Sequence, residues 1–257
     1  MLVFDEKKYA EKVFKNKEYF TGRSQGKEMG ILVRYLSSLG KSEKEIIQEL
    51  MKIPIQGGEY LTEEQKKSIF SKILSKANDY EFITGKEVHI YKEEIDILRQ
   101  VKNESARDLL FIMLVYYKWA TEIEYLKFFS KKNNILMVVE NNKELWKFAN
   151  VSKLSLSKRY ELCNILYLSG LYKIDNFKEH NYIYLPFVKG KGEVALIIKD
   201  FEGALDEFHF YEGVKGYMRC NKCNKAIKAT SNSRKYCYDC AKEVNIAKTI
   251  ERKRRLK

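Results

Sequence analysis

The chain has only two prolines and 13 glycines in 257 residues. Turn-formers are too few for a sandwich of short strands, and 13% aromatic with 32% charged residues predict a fold that is mainly α with minor β. Histidine is scarcer still. His89, His180 and His209 are the only three, they lie far apart in sequence, and no nucleophile or metalloprotease motif accompanies them. Gly40-Lys41-Ser42 has the end of a phosphate loop, but Tyr35 stands where the first glycine of that motif belongs. No enzyme is therefore expected, and a nuclease assembled from scattered carboxylates is the form that an activity would take.

Long apolar runs are missing too. The longest, 109–117, has nine residues, well short of the roughly 20 that span a bilayer, and is predicted to be a buried helix. The opening Met1-Leu2-Val3-Phe4-Asp5-Glu6-Lys7 lacks the basic-then-apolar order of a secretory signal. A cytoplasmic location without membrane contact is expected. At 45% hydrophobic content the chain can still build a real core.

Acidic residues thin out at one end. From 214 to 257 there are 14 Lys or Arg against three Asp or Glu, so that stretch holds +11 of the chain's +13. Four thiolates around one Zn²⁺ would add about two negative charges there and leave it strongly basic. Such a surface predicts a nucleic-acid partner. Lysine outnumbers arginine 38 to 10, a skew that fits an AT-rich genome.

Five cysteines in a reducing compartment are a poor disulfide framework, and four of them form two close pairs. The spacing is Cys220-x2-Cys223-x13-Cys237-x2-Cys240. Each pair can make a tight knuckle, and two knuckles joined by a hairpin complete a tetrahedral set of four sulfurs, predicting one structural Zn²⁺. With no position left for water, such a site is not catalytic. Cys163, far from the pairs, is predicted to be a small buried hydrophobe.

Residues 1–85 read as a helical region. Ser42-Glu43-Lys44-Glu45 and Thr62-Glu63-Glu64-Gln65 both fit the capping box, Ile46, Ile47, Leu50 and Met51 recur at helical spacing, and Pro54 with Gly57-Gly58 supplies a break. This stretch reads as scaffold.

Residues 86–188 carry the most suggestive order. An apolar helix over 107–121, extending to 130, precedes a β-branched run at 135–139 and a second helix at 142–150. A third helix over 155–169 is stopped by Gly170, and strands at 171–176 and 182–188 flank Phe177-Lys178-Glu179-His180. On the third helix Leu156, Tyr160, Cys163 and Tyr167 are expected to face the core, with Leu162 and Leu166 beside them, and Ser157, Lys158, Glu161 and Asn164 to face out.

The order helix, strand, helix, helix, hairpin over 107–188 resembles the winged-helix domain, whose third helix enters the major groove while its hairpin touches backbone. The resemblance implies that Ser157, Lys158 and Arg159 contact DNA and that Lys178 reaches a phosphate. Such domains also serve in packing or dimerisation, so a second copy of the chain stands beside duplex DNA as a partner.

Residues 189–218 read as a linker with a short strand at 193–198, and 219–257 as a zinc ribbon with a basic helical tail. Arg234 and Lys235 in the ribbon, and Arg252, Lys253, Arg254 and Arg255 in the tail, are candidate phosphate contacts, the alternative being a merely solvated end. Taken with the third-helix region at 142–171 and with Lys235-Tyr236-Cys237-Tyr238-Asp239-Cys240-Ala241-Lys242, this organisation resembles small proteins of phages and mobile elements of AT-rich Gram-positive bacteria. That resemblance implies DNA transactions, in replication initiation or transcription control. An adaptor that binds RNA or other replication or transcription proteins through the zinc module is the alternative.

Overall fold

Asp5 caps the first helix, α1 (Glu6–Asn16), by accepting from the Lys8 amide at 2.9 Å. After α2 (Gln25–Ser38), the two capping boxes open the next helices. Ser42 Oγ accepts from the Glu45 amide while the Glu45 carboxylate accepts from the Ser42 amide at 2.8 Å, starting α3 (Glu43–Met51). Thr62 and Gln65 exchange the same pair of bonds at 3.2 and 2.9 Å and start α4 (Glu63–Ala77). The four helices bury Ala10, Leu32, Leu36, Ile46, Leu50, Phe70 and Leu74 in one core, and Arg34 donates from Nε to Glu6 at 3.1 Å across α1 and α2.

This computed structural model of the chain describes residues 3–17, 25–54, 60–77, 84, 87–122, 136–137, 143–177, 180–231 and 234–255. It divides into two compact units, Met1–Lys86 with Glu122–Phe128, and Glu87–Thr121 with Phe129–Lys257.

In the second unit β1 (Val88–Tyr91) leads into α5 (Lys92–Gln100) and α6 (Glu104–Glu122). The apolar run inside α6 is buried on every side from 109 to 115. A buried ion pair, Lys118 with Glu94 at 2.7 Å, holds α6 to α5. Further bonds support it, since Glu94 also accepts from the amides of Tyr91 and Lys189, and Lys118 donates to His89 O.

Next come β2 (Leu136–Met137), α7 (Lys143–Phe148) and α8 (Leu156–Leu168), then β3 (Lys173–Phe177) and β4 (His180–Tyr184). The three strands form one antiparallel sheet in the order β2-β4-β3. Ser155 caps α8 by accepting from the Lys158 amide, and Gly170, at φ +70°, ends it with Leu171 N bonded back to Leu166 O at 3.1 Å. The second strand of the hairpin, expected to reach 188, stops at Tyr184. Pro186 lies just beyond and brings no amide to a ladder. The expected helical extension to 130 and most of the run at 135–139 lie outside the described residues.

The faces of α8 differ from expectation. Leu162, Cys163 and Leu166 are buried, whereas Leu156, Tyr160 and Tyr167, expected inward, are 58%, 44% and 51% exposed. Leucine and tyrosine occur almost all round this helix, so hydrophobicity alone did not single out the core side.

The stretch read as a linker is structured. It contains β5 (Val194–Ile198), which pairs antiparallel with β1, then α9 (Ala204–Tyr211) and the start of β6 (Tyr217–Arg219). Phe208 of α9 stacks on Phe111 at 4.4 Å between ring centroids, and Phe201 meets Trp119 edge-on at 5.1 Å. These rings put α9 against α6 in the core of the unit. The hairpin of β6 with β7 (Ala226–Lys228) and the long helix α10 (Tyr238–Arg255) complete the chain. Among the described residues no helix is long and apolar enough to cross a membrane.

Candidate metal centre

Two different local structures deliver the four sulfurs. Cys220 and Cys223 lie in the turn of the β6–β7 hairpin, where Asn224 adopts φ +60° and donates its amide to Cys220 O at 2.9 Å. Asparagine tolerates that left-handed conformation better than other side chains with a β-carbon. Cys237 and Cys240 sit at the start of α10, with the Ala241 amide bonded to Cys237 O at 2.9 Å. The expected arrangement, two knuckles joined by a hairpin, is thus corrected: the hairpin carries the first pair at its tip, and a helix opens on the second. That helix starts at Tyr238, so the tail helix begins inside the second pair, whose spacing fits a first helical turn.

All four Sγ atoms lie within 4.8 Å of one another and could hold a metal ion. A tetrahedral ion about 2.3 Å from each sulfur spaces them about 3.8 Å apart, and Cys223 and Cys237 are already 3.7 Å apart. The amides of Cys237 and Cys240 donate to the sulfurs of Cys220 and Cys237 at 3.3 and 3.4 Å. Among the described residues this is the one group of three or more metal-ligating side chains so placed.

The electrostatics of the group fit a cation. Burial raises the Cys220 thiol, but the amides of Cys223, Cys237 and Lys222 outweigh it and bring it down to about 6. Burial and the neighbouring sulfurs push Cys223 and Cys240 above the ordinary thiol value. A dication there would offset the repulsion between the sulfurs that keeps Cys223 and Cys240 protonated.

The centre is fastened to the core through α9. Glu207 accepts from the Arg219 guanidinium and, through its other oxygen, from the Ala226 amide at 2.9 Å. Arg219 also lies 4.3 Å from the centre of the Phe210 ring. Lys225, inside the first knuckle, pairs with Asp200 at 2.7 Å, and His209 bonds the Tyr217 hydroxyl. Burial raises the Asp206 carboxyl against the pull of His209, Lys225 and Arg234. Sequence reasoning missed this dock. Its one legible trace is the pairing of acids at 206 and 207 with the basic stretch that follows.

No family model, curated protein or solved structure matches the chain.

The other candidate residues fall into distinct settings. Ser157 and Lys158 are exposed on α8. Arg159 is half-buried, its Nε donating to Leu154 O at 3.1 Å and its guanidinium 5.8 Å from the centre of the Trp146 ring. Lys178 lies outside the described residues. Lys235 is exposed, and half-buried Arg234 donates to Thr230 Oγ1 at 3.3 Å. Arg252, Lys253, Arg254 and Arg255 are all exposed at the end of α10, the helix that starts at the cysteine cluster.

Proposed function

We propose that the protein binds duplex DNA, with one structural Zn²⁺ in the four-cysteine site and the basic helix α10 gripping phosphates. The carrying observation is the joining of the two: the ligands Cys237 and Cys240 lie at the root of the helix whose far end exposes Arg252, Lys253, Arg254 and Arg255. A metal there fixes where the charge points. Four sulfurs leave no position for water, so the ion's role is structural.

The winged-helix reading draws support from the element order α6, β2, α7, α8, β3, β4 and from the sheet order β2-β4-β3, in which the short first strand adds to the edge of the hairpin. The role it implies is replication initiation or transcription control in a phage or mobile element. The exposed face of α8 favours a second reading for that helix. Leu156, Tyr160, Tyr167 and Leu168 stand open to solvent on a helix that also exposes Glu161, a surface better suited to a protein partner or a second copy than to a phosphate backbone.

A gel-shift series with the zinc-loaded chain on duplex DNA, single-stranded DNA and RNA across a range of salt tests the function. Tightest binding to duplex, weakening steeply with salt, is expected. No binding to any nucleic acid at low salt overturns the proposal, and preference for RNA replaces it with the adaptor reading.

A further inference from the structure

Beyond gripping phosphates, α10 has the properties of a base-reading element. From 245 to 255 every residue of the helix is exposed, so this length is built without packing on the chain. Isolated helices of such length are marginal in water. A structure that anchors only one end leaves the rest for a partner to stabilise.

The side chains of that length are sorted by face. At about 100° per residue, Asn245, Thr249, Arg252 and Lys253 fall within one arc of about 100°, and all three acids of the helix, Asp239, Glu243 and Glu251, fall outside it. Two of the acids are engaged elsewhere: Glu243 pairs with Lys222 of the first knuckle at 2.7 Å, and Glu251 with Arg255. The face is therefore basic and amide-bearing. By contrast, the outward face of α8 centres on Ser157, Glu161, Asn164 and Leu168 and has tyrosines along its flank.

We propose that α10 lies along the major groove of duplex DNA, with Asn245, Thr249, Arg252 and Lys253 facing base edges. The proposal rests on the nucleic-acid reading above. A helix about 10–12 Å across matches a groove about 12 Å wide. The eight-residue rise from Asn245 to Lys253 covers roughly 12 Å, or three to four base pairs. Asparagine suits the paired donor and acceptor of adenine, and arginine or lysine the two acceptors of guanine. Thr249 has its hydroxyl engaged with Asn245 O at 2.9 Å, which leaves its methyl group for a thymine methyl.

Pairing with a second α10 is the competing use. Ile246 and Ile250, 51% and 48% exposed, would begin a seam, but Glu243 and Lys253 occupy its next positions. A coiled coil needs apolar residues sustained over several heptads.

The test is selection from a random duplex pool with the full zinc-loaded chain, alongside dimethyl sulfate probing of guanine N7 in the selected complex. A short enriched motif with N7 protected is expected. Asn245→Ala should lower the ratio of specific to random affinity by about 5- to 150-fold at the adenine position, and Arg252→Ala should do so at a guanine. Metal content and circular dichroism show that each variant is folded. An enriched motif that survives both changes, or N7 left open to methylation, overturns the proposal while duplex binding still stands. Absence of duplex binding sinks this inference together with the function it rests on.

Discussion

The Tyr217 hydroxyl lies 2.7 Å from Nδ1 of His209, whose Nε2 is 2.8 Å from Asp108. Facing a carboxylate, Nε2 is the donor to Asp108, and Nδ1 shares a hydrogen bond with the Tyr217 hydroxyl. The relay links β6 to α9 and α9 to α6. Tyr217→Phe should cost about 1 kcal/mol, and His209→Leu, which leaves buried Asp108 without its donor, about 1–3 kcal/mol or more. Thermal unfolding with hydrogen exchange over 217–228 reads both effects. An unaltered His209→Leu profile would dismiss the relay as a structural link.

Alkaline pH should act on the same place. Burial, then Asp206, Asp108 and Glu104, push the Tyr217 phenol from 10.0 up to about 12, and burial and Tyr184 raise Tyr117 to about 12. A raised folded value means that the unfolded chain loses the proton first. The stabilisation is complete below about pH 10 and is lost as pH rises towards 12. Tyrosinate absorbance followed with circular dichroism should show ionisation and unfolding together in that window, and Tyr217→Phe should soften the loss. Ionisation near pH 10 with the fold intact would refute the assignment.

Metal removal should have a bounded effect. Native mass spectrometry is expected to find one zinc per chain. Chelation or Cys237→Ser should melt α10 and the first knuckle while α9 keeps its exchange protection, because Phe208 remains stacked on Phe111. Adding Glu207→Ala should then free β6 and β7. A well-folded chain that carries no metal would remove zinc from the account.

The basic end has its own signature. Each phosphate neutralised on duplex DNA contributes about 0.9 to the slope of log affinity against log salt. Deleting 251–257 removes Arg254, Arg255 and Lys257 along with the base-facing Arg252 and Lys253, and should make that slope shallower by up to about 3. An identical slope in the truncated chain would return the tail to a solvated end.

Local devices were legible in the sequence, and long-range ones were not. The cysteine spacing picked out the four residues that come together, the capping boxes marked two helix starts, and Gly170 marked a helix end, because each depends on atoms a few residues apart. The pairing of β1 with β5 joins segments about a hundred residues apart, and no local pattern encodes it. The eight-residue α9 has no side-chain cap at its start, so nothing announced a helix inside the apparent linker. Arg159 looked like a surface cation because its contact with Trp146 depends on how α7 and α8 pack.

Glu207 answers two groups of the cysteine hairpin from a helix rooted in the core, and this limits how the chain can be recombined. Residues 217–257 are not a portable cassette. Transferred to another protein, they would arrive with the Arg219 guanidinium and the Ala226 amide seeking an acceptor that stayed behind, and Lys225 would lack Asp200. Exchange among related chains should therefore not break at the first cysteine, and since β5 pairs with β1 and Phe208 stacks on Phe111, dock and hairpin are inherited with the core of the second unit.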